Sequence, residues 1–113
     1  MHELPFTISM LDIVLEHAGT AHAGKVTRID LVVGKLTGLV PECIQFQFDV
    51  IKKGTIAEEA VLSFNHPETQ LRCRNCGIIF IPEHQRMRCP ECGKRSVDVV
   101  AGKEYYVESI EVE

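Results

Sequence analysis

Four of the five cysteines stand in two short repeats that have the spacing of a metal site. The repeats, Cys73–Gly77 and Cys89–Gly93, both read C-x-x-C-G, and twelve residues separate the second cysteine of one from the first cysteine of the other. Two intervening residues let both sulfurs point at one centre, and a following glycine suits the positive backbone angle of such a turn. Four thiolates form the closed tetrahedral set that zinc prefers in structural sites. The sequence predicts a structural zinc ion bound by Cys73, Cys76, Cys89 and Cys92, with iron in a rubredoxin-like site as the main alternative.

The segment around these motifs needs a metal in order to fold. Residues 67–102 form a module of about 36 residues, below the roughly 40 at which chains usually require metals or disulfides. Zinc binding contributes about 10–16 kcal/mol in small peptides at neutral pH. Because four thiolates leave no open coordination position, we expect this ion to be a scaffold and not a hydrolytic centre.

The same segment carries most of the arginines of the chain. Their guanidinium groups could contact phosphates, as those of many zinc ribbons do, or could form a solvated and mildly basic face. We favour the solvated face, because Phe80 is the only aromatic residue there and base stacking needs more. The fifth cysteine, Cys43, falls in a predicted helix, where we expect a small buried hydrophobic side chain and not a nucleophile.

The first three residues, Met1-His2-Glu3, offer a second set of metal ligands. The terminal amine, the amide nitrogen of His2 and its imidazole can close fused chelate rings on one ion. A planar nitrogen set of this kind suits Ni(II) or Cu(II). Glu3 can add an oxygen or can orient the imidazole through a hydrogen bond. A frayed terminus with no role is the alternative.

Length and composition restrict the class of protein. The chain has 113 residues, 45% of them hydrophobic, and a net charge of −4. The longest apolar run, Ile78–Ile81, is far below the roughly 20 residues of a membrane span, and the N-terminus lacks the features of a signal peptide. We therefore expect a cytoplasmic protein without a membrane anchor. The acidic balance disfavours a nucleic-acid partner, and no nucleophile–base pair or open metal motif indicates an enzyme.

Apolar periodicity and end signals predict two helices and three strands outside the cysteine module. The expected elements are a helix over Pro5–His17, a strand over Val26–Leu36, a helix from Pro41 to Lys52–Gly54, and strands over Ala60–Asn65 and Glu104–Val112. On the first helix, Ile8, Leu11 and Leu15 recur at helical spacing. Met10, Ile13 and Val14 widen this apolar stripe, so we expect the helix to pack on more than one side. The strand, helix and strand in the middle predict a right-handed crossover with parallel strands.

The terminal strand is too short to stand alone, and we expect it to pair with Ala60–Asn65. Its apolar parity slips by one residue between Val107 and Ile110, which predicts either a bulge or a strand shared by two sheets. The cysteine module is then an insertion between paired strands. The prediction is an α+β fold, with two helices packed on a small mixed β-sheet and an inserted zinc-ribbon-like module. Its domains are residues 1–66 plus 103–113, and residues 67–102.

Several of these features together resemble the HypA family, the nickel metallochaperones of nickel–iron hydrogenase maturation. They are the N-terminal Met-His-Glu, the Gly34-Lys35-Leu36 turn, the Gly54–Glu58 connection, the two cysteine motifs and the closing Ile110–Glu113. The resemblance covers essentially the whole chain in order and spacing.

This resemblance implies a nickel domain with a site at Met1, His2 and Glu3, and a zinc domain around the four cysteines. Some members add a carboxylate from the turn before the second helix, and the matching position here is Val40, with Glu42 nearby. Some also carry histidines beside the cysteine motifs; His84 is the only histidine within this module and a further candidate nickel ligand.

The function implied by the resemblance is delivery of Ni(II) as a transferred cargo. The implied partners are the nickel-handling GTPase HypB and the hydrogenase large-subunit precursor, with urease maturation served in some organisms. A zinc-ribbon module that binds nucleic acid or takes part in transcription is the alternative function.

Overall fold

The computed structural model describes residues 3–84 and 86–113, which form two helices, one short 3-10 helix and six strands. Within these residues no helix combines the length and the apolarity that crossing a bilayer requires. The helices are α1 (Glu3–Thr20) and α2 (Pro41–Ile51), with the 3-10 helix at Lys35–Thr37. The strands are β1 (Val26–Val33), β2 (Val61–Asn65), β3 (Gln70–Cys73), β4 (Ile79–Phe80), β5 (Val97–Ala101) and β6 (Tyr105–Val112).

Strand β1 is the centre of a three-stranded mixed sheet with the order β2-β1-β6. It pairs with β2 in parallel, which confirms the predicted crossover through α2. Ile29, Leu31 and Val33 of β1 are fully buried together with Ile44 and Phe48 of α2. The core therefore lies between the sheet and the helices, as the apolar spacing of both elements predicts.

The expected partner of the terminal strand is wrong, although the bulge in that strand is confirmed. Strand β6 pairs with β1 in antiparallel fashion and leaves β2 at the edge of the sheet. Both β1 and β6 have eight residues, whereas β2 has five, so this order forms the longer ladder of backbone hydrogen bonds. Asp30 pairs with Ser109 and Leu31 with Val107, which leaves Glu108 as the extra residue.

Helix α1 buries part of the predicted apolar stripe: Met10, Leu11 and Val14 are buried, whereas Ile8 and Ile13 are exposed. Ile8 is 45% exposed, while the buried face consists of Glu3, Thr7, Met10, Leu11, Val14 and Ala18. Apolar residues occur all around this helix, so the sequence alone leaves its rotation open. Thr7 can be buried because its hydroxyl lies 2.9 Å from the Glu3 carbonyl oxygen and 2.9 Å from Oε1 of Gln47 on α2. The proline at position 5 sits in the first turn, where no backbone N–H is needed.

A second, antiparallel sheet with the order β4-β3-β5 carries the cysteine motifs. Its strands have only two to five residues, and the predicted elements did not include them, although Gln70–Cys73 alternates polar and apolar residues. With two helices on a mixed sheet and the cysteines on a separate small sheet, the predicted α+β class is confirmed.

The two sheets meet at a glycine contact. The N–H of Gly34 donates to the Glu104 carbonyl at 2.7 Å, and the N–H of Leu36 donates to the Gly102 carbonyl at 2.8 Å. A Cβ atom on Gly34 would lie 2.0 Å from the Gly102 oxygen. The turn that follows β1 and the segment that runs from β5 to β6 are therefore held together by close backbone packing.

Candidate metal centres

The four cysteines of the two motifs converge on one point. Their sulfur atoms all lie within 4.8 Å of one another. The Sγ atoms of Cys73 and Cys92 are 3.6 Å apart, and those of Cys76 and Cys89 are 3.5 Å apart. Zinc–sulfur bonds of about 2.3 Å in a tetrahedron require sulfur–sulfur separations of about 3.8 Å. The donor set therefore fits a four-coordinate thiolate-bound ion, and its chemistry allows zinc or iron.

The same backbone hydrogen bond closes each motif. The N–H of Gly77 donates to the Cys73 carbonyl, and the N–H of Gly93 donates to the Cys89 carbonyl, both at 2.9 Å. The two glycines have φ angles of 80° and 74°. Because this left-handed region favours glycine, the glycine that follows each motif closes the turn and places both sulfurs on one side.

The backbone around the first motif also sets the protonation of its sulfurs. The Cys76 N–H, 3.5 Å from the Cys73 sulfur, is the main cause that lowers the pKa of Cys73 to about 6. The Ile78 N–H acts to lower the pKa of Cys76. Contact with the Cys89 sulfur, desolvation and the charge on Cys73 outweigh that donor and raise the pKa of Cys76 to about 11. Of the two sulfurs in this motif, Cys73 therefore favours the thiolate and Cys76 the protonated thiol.

The centre is open on one side. Cys73 and Cys89 are buried, whereas Cys76 and Cys92 are exposed. The fifth cysteine, Cys43, is also exposed, so the expectation that it is a buried hydrophobic side chain is wrong. The physical reason is its place on α2, where Ile44 and Phe48 take the buried face.

The predicted nickel site falls partly outside the described residues, because Met1 and His2 are not among them. Glu3 is described and is only 2% exposed. Its Oε2 atom accepts a hydrogen bond of 3.0 Å from the N–H of Val40, the residue that precedes α2. The first turn of α1 is thus attached to the first turn of α2.

Sequence reasoning missed this contact between Glu3 and Val40. A signal was available, because Val40 immediately precedes a proline-initiated helix and has no side chain that can cap it. A helix start of this kind needs an acceptor from elsewhere in the chain. The position at which the resemblance implies a carboxylate ligand contributes a backbone donor instead.

Among the described residues, the four cysteines form the single group of three or more histidine, cysteine or carboxylate side chains close enough to share a metal ion. Neither Glu3 nor His84 belongs to that group. His84 is exposed, with a φ angle of 50°, in the connection that follows β4.

Comparisons with known proteins cover the full length of the chain. A family model described as "Hydrogenase/urease nickel incorporation, metallochaperone, hypA" matches residues 1–112. The chain is 40% identical over 114 residues to the hydrogenase maturation factor HypA of Caldanaerobacter subterraneus, with 100% of both chains covered. It is 37% identical to the factor of the same name from Dehalococcoides mccartyi, with 100% of this chain and 95% of the relative covered.

Two solved structures share the fold. A solution structure of the Ni metallochaperone HypA from Helicobacter pylori aligns with a TM-score of 0.69, and it covers 99% of this chain and 97% of its own. A second solution structure, of a protein also named HypA, aligns with a TM-score of 0.74 over 100% and 97%. Each is 23% identical to this chain in sequence, so the likeness supports the arrangement of helices, sheets and cysteine motifs.

Proposed function

Because the chain belongs to the HypA family of nickel metallochaperones, which act in hydrogenase maturation and are not enzymes, we propose that it binds Ni(II) at its N-terminus. The proposed ligands are the amine of Met1, the amide and imidazole nitrogens of His2, and the carboxylate of Glu3. His84 is a further candidate ligand. The nickel ion is the cargo and is handed on.

The observation that carries this proposal is the anchoring of Glu3. This buried carboxylate is fixed to the start of α2 through the Val40 N–H. Consecutive Cα atoms are about 3.8 Å apart, so the nitrogen donors of the two preceding residues are tethered within two peptide units of a fixed point. Tethering reduces the entropy that an N-terminal chelate loses when it closes on a metal.

The donor types suit a carrier. An amine has an ordinary pKa of about 7.7–8.0 and an imidazole one of about 6.5. Both must lose a proton before they bind a metal, so nickel affinity falls as pH drops. A site with few anionic ligands releases its ion more readily than a cluster of four thiolates does. These properties support reversible loading at the N-terminus.

For the cysteine centre we propose structural zinc. Cys73, Cys76, Cys89 and Cys92 would hold the ion and would complete the folding of residues 67–102 as one domain, with residues 1–66 and 103–113 as the other. Zinc bound by four thiolates supplies cross-linking and no open position for substrate. The small strands β3, β4 and β5 depend on that cross-link, because few of their side chains are buried.

The proposed partners follow from the family. They are the nickel-handling GTPase HypB and the precursor of the nickel–iron hydrogenase large subunit, in the cytoplasm. The family description names urease beside hydrogenase, which supports a proposal that urease maturation is also served.

The test separates the two metal sites. We expect that His2→Ala, or one residue added before Met1, abolishes nickel binding in a titration of untagged protein. Zinc, measured by total metal analysis, should stay at one per chain, since none of its proposed ligands is altered. An iron content of one per chain would contradict the zinc assignment without affecting the nickel site.

The matched control is His17→Ala, which removes an exposed histidine of α1 and should leave nickel affinity unchanged. If the His2→Ala protein bound nickel with the affinity of the unaltered chain, the N-terminal site would be refuted. If His17→Ala weakened binding equally, the ligand would lie elsewhere on α1.

A further inference from the structure

Three arginines of the cysteine module surround one cavity that the metal sites do not use. Arg86, Arg88 and Arg95, with Met87 between the first two, line a space of about 500 Å³. All three guanidinium-bearing residues are exposed. The cavity lies beside the second cysteine motif, because Arg88 directly precedes Cys89 in the chain.

The described residues provide no ion pair to these guanidinium groups, although Glu83 lines the adjoining space beside Arg86 and Arg88. Across residues 3–84 and 86–113, no carboxylate makes an ion pair with any of the three, whereas Arg74 pairs with Asp98 at 2.8 Å. Like charges that share a cavity repel one another. An anion placed among them would relieve that repulsion, and the planar guanidinium fork matches carboxylate oxygens in pairs.

Charge is also divided unevenly along the chain. Residues 67–102 contain six basic and four acidic side chains, while the remaining residues contain six basic and twelve acidic ones. These side chains give the module +2 and the rest of the chain −6. A divalent ion held by four thiolates would add −2 at the cysteine cluster, so the loaded module is close to neutral and its positive charge lies on the arginine side chains. A long polyanion such as a nucleic acid would be repelled by most of the molecule, but a short acidic segment could reach the arginines alone.

An apolar groove continues from the arginine cavity. A second space, of about 390 Å³, shares Arg86 and Arg88 with the first. Its apolar lining is Phe80, Ile81, Pro82 and Pro90, and Glu83, Cys89 and Gly93 complete it. Ile81 is 54% exposed and Met87 is 38% exposed. Arginine, methionine and aromatic residues are enriched at protein interfaces. Proline has no N–H to offer to a nucleobase edge, so the groove suits apolar side chains better than a nucleotide.

We propose that this surface, formed by Arg86, Arg88 and Arg95 with the groove beside them, binds an acidic peptide segment of a partner protein. Carboxylates of the segment contact the arginines, and apolar side chains of the segment fill the groove. The interaction uses none of the first three residues, so it can be tested independently of the N-terminal nickel ligands. The cysteine module would then bind a partner protein in addition to a metal ion.

A peptide titration tests the proposal. The probe is a short end-blocked peptide of alternating glutamate and leucine, labelled for fluorescence anisotropy. We expect it to bind the metal-loaded protein, and the triple variant Arg86→Gln, Arg88→Gln, Arg95→Gln to bind about tenfold more weakly, as the loss of three exposed ion pairs implies. Binding should also weaken as the salt concentration rises to about 0.5 M.

The control variant Lys25→Gln, Lys53→Gln, Lys103→Gln removes the same charge from the acidic part of the chain and should leave peptide affinity unchanged. Unchanged metal content and circular dichroism verify that both variants fold. Equal weakening by both variants, or equal binding of a peptide with glutamine in place of glutamate, would overturn the proposal. It would also fail if inorganic pyrophosphate or a single-stranded oligonucleotide bound through the three arginines and the peptide did not.

Discussion

Gly34 is the residue with the least room for change among the glycines of the described chain. A Cβ atom there would lie 2.0 Å from the Gly102 carbonyl oxygen and 2.3 Å from its carbon. Both atoms belong to backbone, and that backbone is fixed by the Leu36 N–H that binds the same oxygen at 2.8 Å. The contact joins the two sheets, so a single methyl group at position 34 would have to displace the junction between them.

Substitution of two glycines by alanine gives a matched test of this contact. We expect Gly34→Ala to lower the free energy of unfolding by about 1–3 kcal/mol, the usual cost of overpacking. Gly19→Ala, in α1 with nothing within 4 Å of its Cβ position, should be neutral or stabilising by up to about 1 kcal/mol. Urea-induced unfolding measures both. Equal free energies of unfolding for the two variants would show that the backbone around Gly34 can accommodate a methyl group without loss of stability.

At the scale of elements, the two C-x-x-C-G turns act as one unit. Each supplies one buried and one exposed sulfur, and each is closed by the same hydrogen bond to a following glycine. The Arg74 N–H, within the first turn, donates to the Ser96 carbonyl at 2.8 Å and so connects that turn to the start of β5. The metal centre therefore closes the end of the small sheet.

The protonation of this unit predicts how its metal affinity depends on pH. The raised pKa of Cys76, about 11, means that a proton must leave when a metal binds at neutral pH. Affinity should therefore rise by about tenfold per pH unit for each proton released. Below the Cys73 pKa of about 6 Cys73 contributes one further proton, and the dependence steepens. Competition with a chelator between pH 8 and pH 5 measures it.

The control for this measurement is Cys43→Ser, which removes the exposed cysteine outside the cluster. We expect that variant to follow the same pH dependence as the unaltered chain. A metal affinity that stayed constant over the whole range would contradict proton release by Cys76.

At the scale of the whole molecule, the protein is elongated. Its principal extents are 55 × 25 × 17 Å and its radius of gyration is 17.5 Å, against about 13 Å for a compact domain of this length. The main core cluster is built from α1, α2, β1 and the residues near β2, with Val107 and Ile110 of β6 packed against it. Among the described residues of the other end, Leu71, Cys73 and Cys89 are the buried hydrophobic side chains, so a metal held by the cysteines would take the place of a core there.

This difference predicts that the two ends lose structure separately. In a Cys73→Ala variant, which loses one of four sulfurs, we expect the backbone amides of β3, β4 and β5 to lose protection from hydrogen exchange. Amides of β1, β2 and β6 should keep most of theirs, because their core does not include the metal. Loss of protection in all six strands would refute the division at residues 67 and 102.

Short-range patterns in the sequence were sufficient for much of this description. The cysteine spacing predicted which sulfurs converge, because two intervening residues fix the geometry of each turn. Apolar spacing and end signals predicted both helices and the parallel pairing of β1 with β2, and a parity slip predicted the bulge at Glu108. The cysteine turns, the helices and the bulge depend on residues close together in the chain, so local chemistry determines them. The pairing of β1 with β2 joins distant segments, and it was predictable because a strand, helix and strand in succession form a parallel crossover.

The tertiary structure decided those contacts between distant segments for which the local pattern left several choices. It placed β6 beside β1, rotated α1 to bury Thr7, and left Cys43 in solvent. It also brought Glu3 to the Val40 N–H across 37 positions. Several arrangements satisfy the same local pattern, and only the simultaneous packing of all elements, with every buried polar group supplied with a partner, selects one of them.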